Sequence, residues 1–160
     1  MLTPNFCLRQ AFSKKALRNI EQAITNCELS HSGQIRFAVE ATLSVHQLIH
    51  QLSPKERAIQ VFSDLRIWDT EQNNGVLIYL LLADRDVEIV SDRGIHQQVG
   101  SDNWEKICNQ MQRHFKTGYF EVGVLEGIQS IGQHLTQFSP QSVSANKLQK
   151  NELPDQPVIL

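Results

Sequence analysis

The chain predicts an α/β fold, with a small mixed β-sheet covered by helices on both faces. Three observations carry this. Residues 34–40 (QIRFAVE) alternate between apolar and polar, residues 76–82 (VLIYLLL) are apolar throughout, and a capped amphipathic helix lies between them. A strand–helix–strand unit closes as a parallel pair, and a strand that is apolar on both sides needs cover on both sides.

The first periodic segment spans about 13 to 28, where Ala16, Leu17, Ile20, Ala23, Ile24 and Cys27 recur at helical spacing. Ser30-His31-Ser32-Gly33 ends it. Ile35, Phe37 and Val39 then share one face of a half-buried strand. Residues 41–52 are less regular, with room for a short helix. Ser53-Pro54-Lys55-Glu56 supplies an N-cap serine, a proline at the first helical position and a capping-box glutamate. Ala58, Val61, Phe62 and Leu65 form the buried stripe of that helix, which ends near Arg66. After the strand at 76–82, Asp84-Arg85 reads as a hairpin turn, because Asp tolerates unusual backbone angles. Asp86 to Ser91 returns antiparallel, with Val87 and Ile89 facing one way and Glu88 and Val90 the other.

A helix starting near Asp102, with Glu105 three residues on, buries Trp104, Ile107, Cys108, Met111 and Phe115. The last helix runs from about Tyr119 to Phe138 through Val122, Leu125, Ile128, Ile131 and Leu135. Its Gly127 and Gly132 each cost about 1 kcal/mol in helix propensity, which is tolerable where another element packs closely. Beyond Phe138, Ser, Gln, Asn, Lys and three prolines predict a mobile tail. The expected organisation is one domain over 1–138, its core at about 30–138, and a disordered tail over 139–160.

Composition excludes several classes. With 15 basic and 17 acidic residues, the chain has no electrostatic footprint for nucleic acid. No apolar run approaches the ~18 residues of a membrane span, so direct membrane insertion is not expected. The opening MLTPNFCLRQAFSKK lacks a continuous apolar core and a small-residue cleavage site. Cys7, Cys27 and Cys108 form neither CxxC nor a zinc pattern, and Cys27 and Cys108 fall on apolar helix faces. A reducing cytoplasm is the expected compartment. There is no GxGxxG, Walker A loop or GxSxG elbow, so dinucleotide, nucleoside-triphosphate and serine-hydrolase chemistry lack support.

ERAIQVF at 56–62, NNGVLIYLLLADRDVEIVSDRGI at 73–95 and GYFEVGVLEGIQSIGQHLTQFSP at 118–140 together resemble the TPM domain. This is the family of the thylakoid-lumen phosphatase-like proteins, and the resemblance implies its stand-alone bacterial soluble form. The resemblance covers roughly 30 to 138 in order. It implies a three-layer α/β/α sandwich around a small mixed sheet, in agreement with the reading from residues. For activity it implies acid phosphatase chemistry in some members, binding of calcium or other divalent ions in several, and assembly or repair of membrane complexes in others. A membrane-associated protein complex is the partner so implied, and the oligomeric state stays open. One departure stands out. The family often has Gly-Glu-Ile entering its first strand, whereas this chain has Gly33-Gln34-Ile35, an oxygen without a charge, which lowers the affinity expected for a cation held there.

Strands of about eight residues put the two ends of the 75–92 hairpin roughly 25 Å apart at ~3.3 Å per residue, so Asp84 and Asp92 cannot share one ion. Two candidate sites follow. The first gathers Gln34, the loop Asp69-Thr70-Glu71-Gln72-Asn73-Asn74, Asp92-Arg93-Gly94 and Asp102, with Asn74 and Asp92 roughly opposite each other. Asp69, Asn73, Asn74, Asp92 and Asp102 are hard oxygen donors suited to Ca2+ or Mg2+, and no soft ligand set accompanies them. Seven acidic residues and two arginines between 69 and 102 make the region locally negative. The competing explanation is turn and cap chemistry. The second site gathers Glu40, Asp84 and Asp86 with Arg85 at the carboxyl ends of the parallel strands, where open α/β sheets bind ligands. There the competing explanation is a plain hairpin turn.

His46 and His50 sit four apart, a metal-ligand spacing on a helix, with no third ligand beside them. His96 follows Arg93-Gly94 and has the chemistry to protonate a leaving group. Two functions remain open. One is a divalent-cation-binding accessory or interaction module. The other is a metal-assisted phosphomonoesterase with Asp92 or Asp84 as catalytic candidates and Arg93 or Arg85 balancing charge.

Overall fold

The computed structural model describes residues 3–141 and 151–160. In chain order the elements are α1 (Pro4–Ala11), α2 (Lys14–Cys27), β1 (Gln34–Glu40), α3 (Val45–Ile49), α4 (Pro54–Asp64), β2 (Gly75–Leu81), β3 (Asp86–Ser91), α5 (Arg93–Val99), α6 (Ser101–Lys116), α7 (Phe120–Phe138) and β4 (Val158–Ile159). The sheet order is β3-β2-β1-β4. β1 and β2 run parallel, with Gln34 beside Gly75 and Glu40 beside Leu81. β3 returns antiparallel to β2, and β4 joins the free edge of β1 in parallel.

The pleat of the strands sorts the core into two layers. Ile35, Phe37 and Val39 of β1, with Val76, Ile78 and Leu80 of β2, face the apolar stripes of α1, α2, α5, α6 and α7. Ala38, Leu77, Tyr79 and Leu81 face the other way, onto Ala58 and Val61 of α4, Leu43, Ile67 and Leu153. The result is the α/β/α sandwich with a mixed sheet. The Ser53–Glu56 capping box forms as the sequence implies, the Glu56 amide donating to Ser53 Oγ at 3.2 Å and the Ser53 amide to Glu56 Oε2 at 2.9 Å.

Several details depart from expectation. β1 is buried at all seven positions rather than on one face, because α4 and the C-terminal segment cover its polar side. The hairpin turn puts its positive φ, 51°, at Arg85 rather than at the aspartate. α1 and α5 are additional helices. Their sequences are short and mostly polar, and their caps, Thr3 and Asp92, supply the signal. Gly100 occupies the N-cap of α6, so Asp102 lies in the first turn and does not cap it. Val122 is 44 % exposed; Val124, Ile128, Ile131 and Leu135 carry the buried face of α7.

The glycines of α7 have the close packing they require. A Cβ at Gly127 would collide with Met111 of α6, and one at Gly132 with Cys27 of α2. The tail expected over 139–160 is ordered over its last ten residues. Val158 and Ile159 pair with Ala38 and Val39, Leu153 is buried, and the Leu160 amide donates to the Val39 carbonyl at 3.0 Å. Residues 142–150, also assigned to that tail, lie outside the described residues.

Candidate functional site

At the N-terminal ends of the parallel strands, two turns lie against each other. The first is 70–74, where Asn73 has φ 51° and the Asn73 amide donates to Thr70 O at 3.3 Å. The second is the start of α5. The Asp92 amide donates to Gly75 O at 2.8 Å, continuing the β2–β3 ladder by one rung, and the Ile95 amide donates to Asn73 O at 3.3 Å. Gly94 makes this approach possible, because a Cβ there would lie 2.7 Å from Asn73 O and 3.3 Å from Gln72 O. Backbone carbonyls of the first turn therefore crowd around Gly94, two residues beyond Asp92.

Asp92 acts first as a helix cap, its Oδ1 accepting from the Arg93 amide at 2.7 Å. Its other oxygen, Oδ2, is buried and has no hydrogen-bond partner among the described residues. Asn74 also holds an orphan acceptor, Oδ1, while its Nδ2 donates to Ser139 Oγ at 2.9 Å and to Ser32 Oγ at 3.2 Å. The Ser32 hydroxyl lies 2.8 Å from Gln72 Oε1 and 2.9 Å from Ser139 Oγ. This buried network ties α7's end to the loops at the start of β1 and β2. Asn74 shares the pleat of Val76, toward α2 and α7, whereas Asp92 shares that of Val90, toward α4. The two residues are neighbours in register that turn to opposite faces.

The remaining residues of the first set are held elsewhere. Asp69 pairs with Arg66 at 3.0 Å on the exposed surface. Asp102 stands beyond the far end of α5, a helix of seven residues and so about 10 Å long. Gln34 Oε1 accepts from the Glu152 amide at 3.1 Å and the Leu153 amide at 3.0 Å, and Glu152 in turn accepts from the Glu71 amide at 2.9 Å. The residue at the family's glutamate position thus anchors the C-terminal segment. That segment was invisible as a site element because prolines and polar residues surround its few apolar positions. Its only cue is the closing Val158-Ile159-Leu160. Among the described residues no three His, Cys, Asp or Glu side chains are grouped closely enough to hold a metal ion.

At the opposite end of the strands, Glu40 is fully engaged. Arg57 donates to it through Nε at 2.9 Å and Nη2 at 3.1 Å, and the Tyr79 hydroxyl at 2.6 Å. Burial and this contact with Glu40 hold the Tyr79 phenol well above its usual range. Glu40, Leu81 and Asp86 lie on one line of register, which spaces Glu40 and Asp86 by two strands, about 10 Å. Asp86 accepts from Gln112 Nε2 at 2.6 Å, and burial raises its carboxyl. Asp84 is exposed at the turn, and Arg85 donates to Lys116 O at 2.7 Å. Arg93 is exposed beside Asp92, and His96 lies between Ser91 and Ser101, 3.3 Å from Ser91 Oγ and 3.4 Å from Ser101 Oγ.

An α/β/α sandwich on a four-stranded mixed sheet, with polar loops gathered at the strand ends, is the class of protein these features define. The TPM domain matches residues 8–134, and the chain belongs to that family. The BA42 protein from the psychrophilic bacterium Bizionia argentinensis is similar, at 30% sequence identity over 93% of this chain and 95% of that chain, with a TM-score of 0.79. The N-terminal domain of a protein from P. gingivalis shares the fold, at 16% identity over 82% of each chain and a TM-score of 0.66. No curated protein matches the chain in sequence. No helix among the described residues is long and apolar enough to cross a membrane.

Proposed function

We propose that this TPM domain is an accessory module that binds a hard divalent cation, Ca2+ or Mg2+, beside Asp92 and presents the loops so ordered to a membrane-associated protein complex. The observation that carries the reading is Asp92 Oδ2, a buried carboxylate oxygen without a hydrogen-bond donor. An ionised oxygen withdrawn from water and left unpaired is costly, and a cation offsets that cost. The carbonyls of Gln72 and Asn73, packed on Gly94, are further hard oxygens in the adjoining turn, while Asn74 Oδ1, a second orphan acceptor, turns to the other face of the sheet. With one carboxylate and neutral donors, the site would keep several waters on its ion. Asp69 and Asp102 contribute negative potential rather than ligands. The three cysteines are unpaired, which suits a reducing compartment such as the cytoplasm.

Calcium titration followed by amide NMR tests the reading. Saturable shifts centred on 70–75 and 91–96, lost in Asp92→Asn, are the expected result. Unmoved amides in both segments at millimolar calcium would remove the site. The phosphomonoesterase alternative draws on one observation, the exposed Arg93 that follows the same carboxylate in the chain. It requires turnover of a generic phosphate ester by pure protein that Asp92→Asn abolishes and Asp84→Asn spares.

A further inference from the structure

The histidine pair of α3 lies at the other end of the sheet from the cation site proposed above. It is independent of that site. Ser44 caps α3 and forms a capping box with Gln47, each side chain bonding the other residue's backbone amide. This fixes the helical register, and the His50 amide donates to the His46 carbonyl at 3.1 Å. Residues four apart on a helix project from one side. Here the two imidazole rings lie with centroids 4.4 Å apart at 55° to each other. Both histidines are exposed, so solvent reaches both rings.

The separation has a chemical meaning. An imidazole nitrogen binds a first-row transition ion at ~2.0–2.1 Å, which places the ring centroid about 3.2 Å from the ion. Two such rings lie about 4.5 Å apart when the ion holds them at a right angle, and about 5.2 Å apart at the tetrahedral angle. The observed 4.4 Å lies near the shorter of these separations, between exposed rings that can turn about their side-chain bonds. Octahedral and tetragonal ions such as Ni(II) and Cu(II) present cis positions at a right angle, and tetrahedral Zn(II) takes a pair spread by under about 1 Å more. Hard ions such as calcium prefer oxygen donors and have no claim on two imidazoles.

We infer that His46 and His50 form a bidentate chelate for a borderline first-row transition ion, with the remaining coordination positions open to water or an external donor. Binding of the second imidazole is intramolecular once the first is engaged, so the pair binds more tightly than either ring alone.

Ni(II) titration of the full, tag-free chain tests this by calorimetry and by paramagnetic broadening of amide signals. One ion per chain is expected, with broadening centred on residues 44–51. His46→Gln and His50→Gln should each weaken binding at least about tenfold, while His96→Gln leaves it unchanged. The amide spectrum of each variant verifies the fold, and α3 is exposed enough to take either change. Affinities in the two α3 variants that match the unaltered protein would overturn the chelate. Broadening centred on His96 or His134 would also overturn it, as would calcium shifting residues 44–51 as strongly as Ni(II) does.

Discussion

Replacing Glu28 by glutamine tests how the C-terminal segment is fastened to the domain. Glu28 follows the last turn of α2, and its Oε1 accepts from the Ile35 amide at 2.7 Å. The same carboxyl hydrogen-bonds to that of Asp155, which also accepts from Thr25 Oγ1 at 2.6 Å and Asn151 Nδ2 at 2.9 Å. Burial first, and the neighbouring Asp155 carboxylate after it, push Glu28 from the usual value near 4.5 up to about 8. The folded chain therefore keeps a proton that the unfolded chain has released above about pH 4.5. Folding then takes up a proton, so stability falls as pH climbs from about 4.5 to about 8 and levels off above that. At about 1.36 kcal/mol per unit, about three and a half units give a ceiling of about 5 kcal/mol. The side chain is partly exposed, and solvent screening brings the effect to about 1–2 kcal/mol. Glutamine keeps the carbonyl that Ile35 needs, offers an N–H toward Asp155 and has no proton to lose. Urea unfolding of both proteins at pH 5, 7 and 8.5 is the assay. The variant should match the natural chain at pH 5 and exceed it by about 1–2 kcal/mol at pH 8.5. A difference that stays constant with pH, or that shrinks as pH rises, would refute the reasoning.

Two further substitutions probe other joints. Arg57→Met leaves the Glu40 carboxylate, 8 % exposed, with only the Tyr79 hydroxyl; chemical unfolding should show a loss of about 3–5 kcal/mol, partly recovered by adding Glu40→Gln, and a loss under about 1 kcal/mol would mean the carboxyl is neutral or solvated. Gly132→Ala drives a Cβ into Cys27 Sγ, so crowding of about 1–3 kcal/mol outweighs the ~1 kcal/mol gained in helix propensity; thermal unfolding should show the Cys27→Ala double variant more stable than Gly132→Ala alone, and strict additivity would mean α2 and α7 do not meet there.

The sandwich was legible where local chemistry and burial agree. Ser53-Pro54-Lys55-Glu56 carries its helix start in four residues, and VLIYLLL at 76–82, short and bounded by Asn-Asn-Gly and Asp-Arg-Asp, fits a strand covered on both sides. Gly127 and Gly132 announced a close neighbour without saying which one. The candidate site was harder, because Asp92 has two uses and sequence shows only one at a time. As a cap it opens α5, a helix that RGIHQQV scarcely suggests with only Ile95 and Val99 buried. As a ligand candidate it matters through the oxygen the cap leaves over. Arg57 and Tyr79 stand 17 and 39 positions from Glu40; the register of β1 with β2 brings Tyr79 to it, and the packing of α4 on the sheet brings Arg57. The attachment of the last ten residues was illegible for the same reason: Gln34 reads as a weakened cation ligand until the segment that uses its carbonyl is in place.

The pairing of β4 with β1 has a kinetic consequence. Ala38 and its partner Val158 are about 120 residues apart along the chain. At a synthesis rate of ~5–20 residues per second, about 6–24 s separate the appearance of β1 from that of the strand that closes it. Throughout that interval the outer edge of β1 at Ala38 and Val39 lacks its partner strand, leaving the kind of edge that recruits foreign strands. The nascent domain therefore passes through a window of vulnerability that the finished molecule does not have. Slowing the ribosome between the codons of β1 and those of β4 should widen that window and raise the aggregated fraction without altering a single contact of the native state.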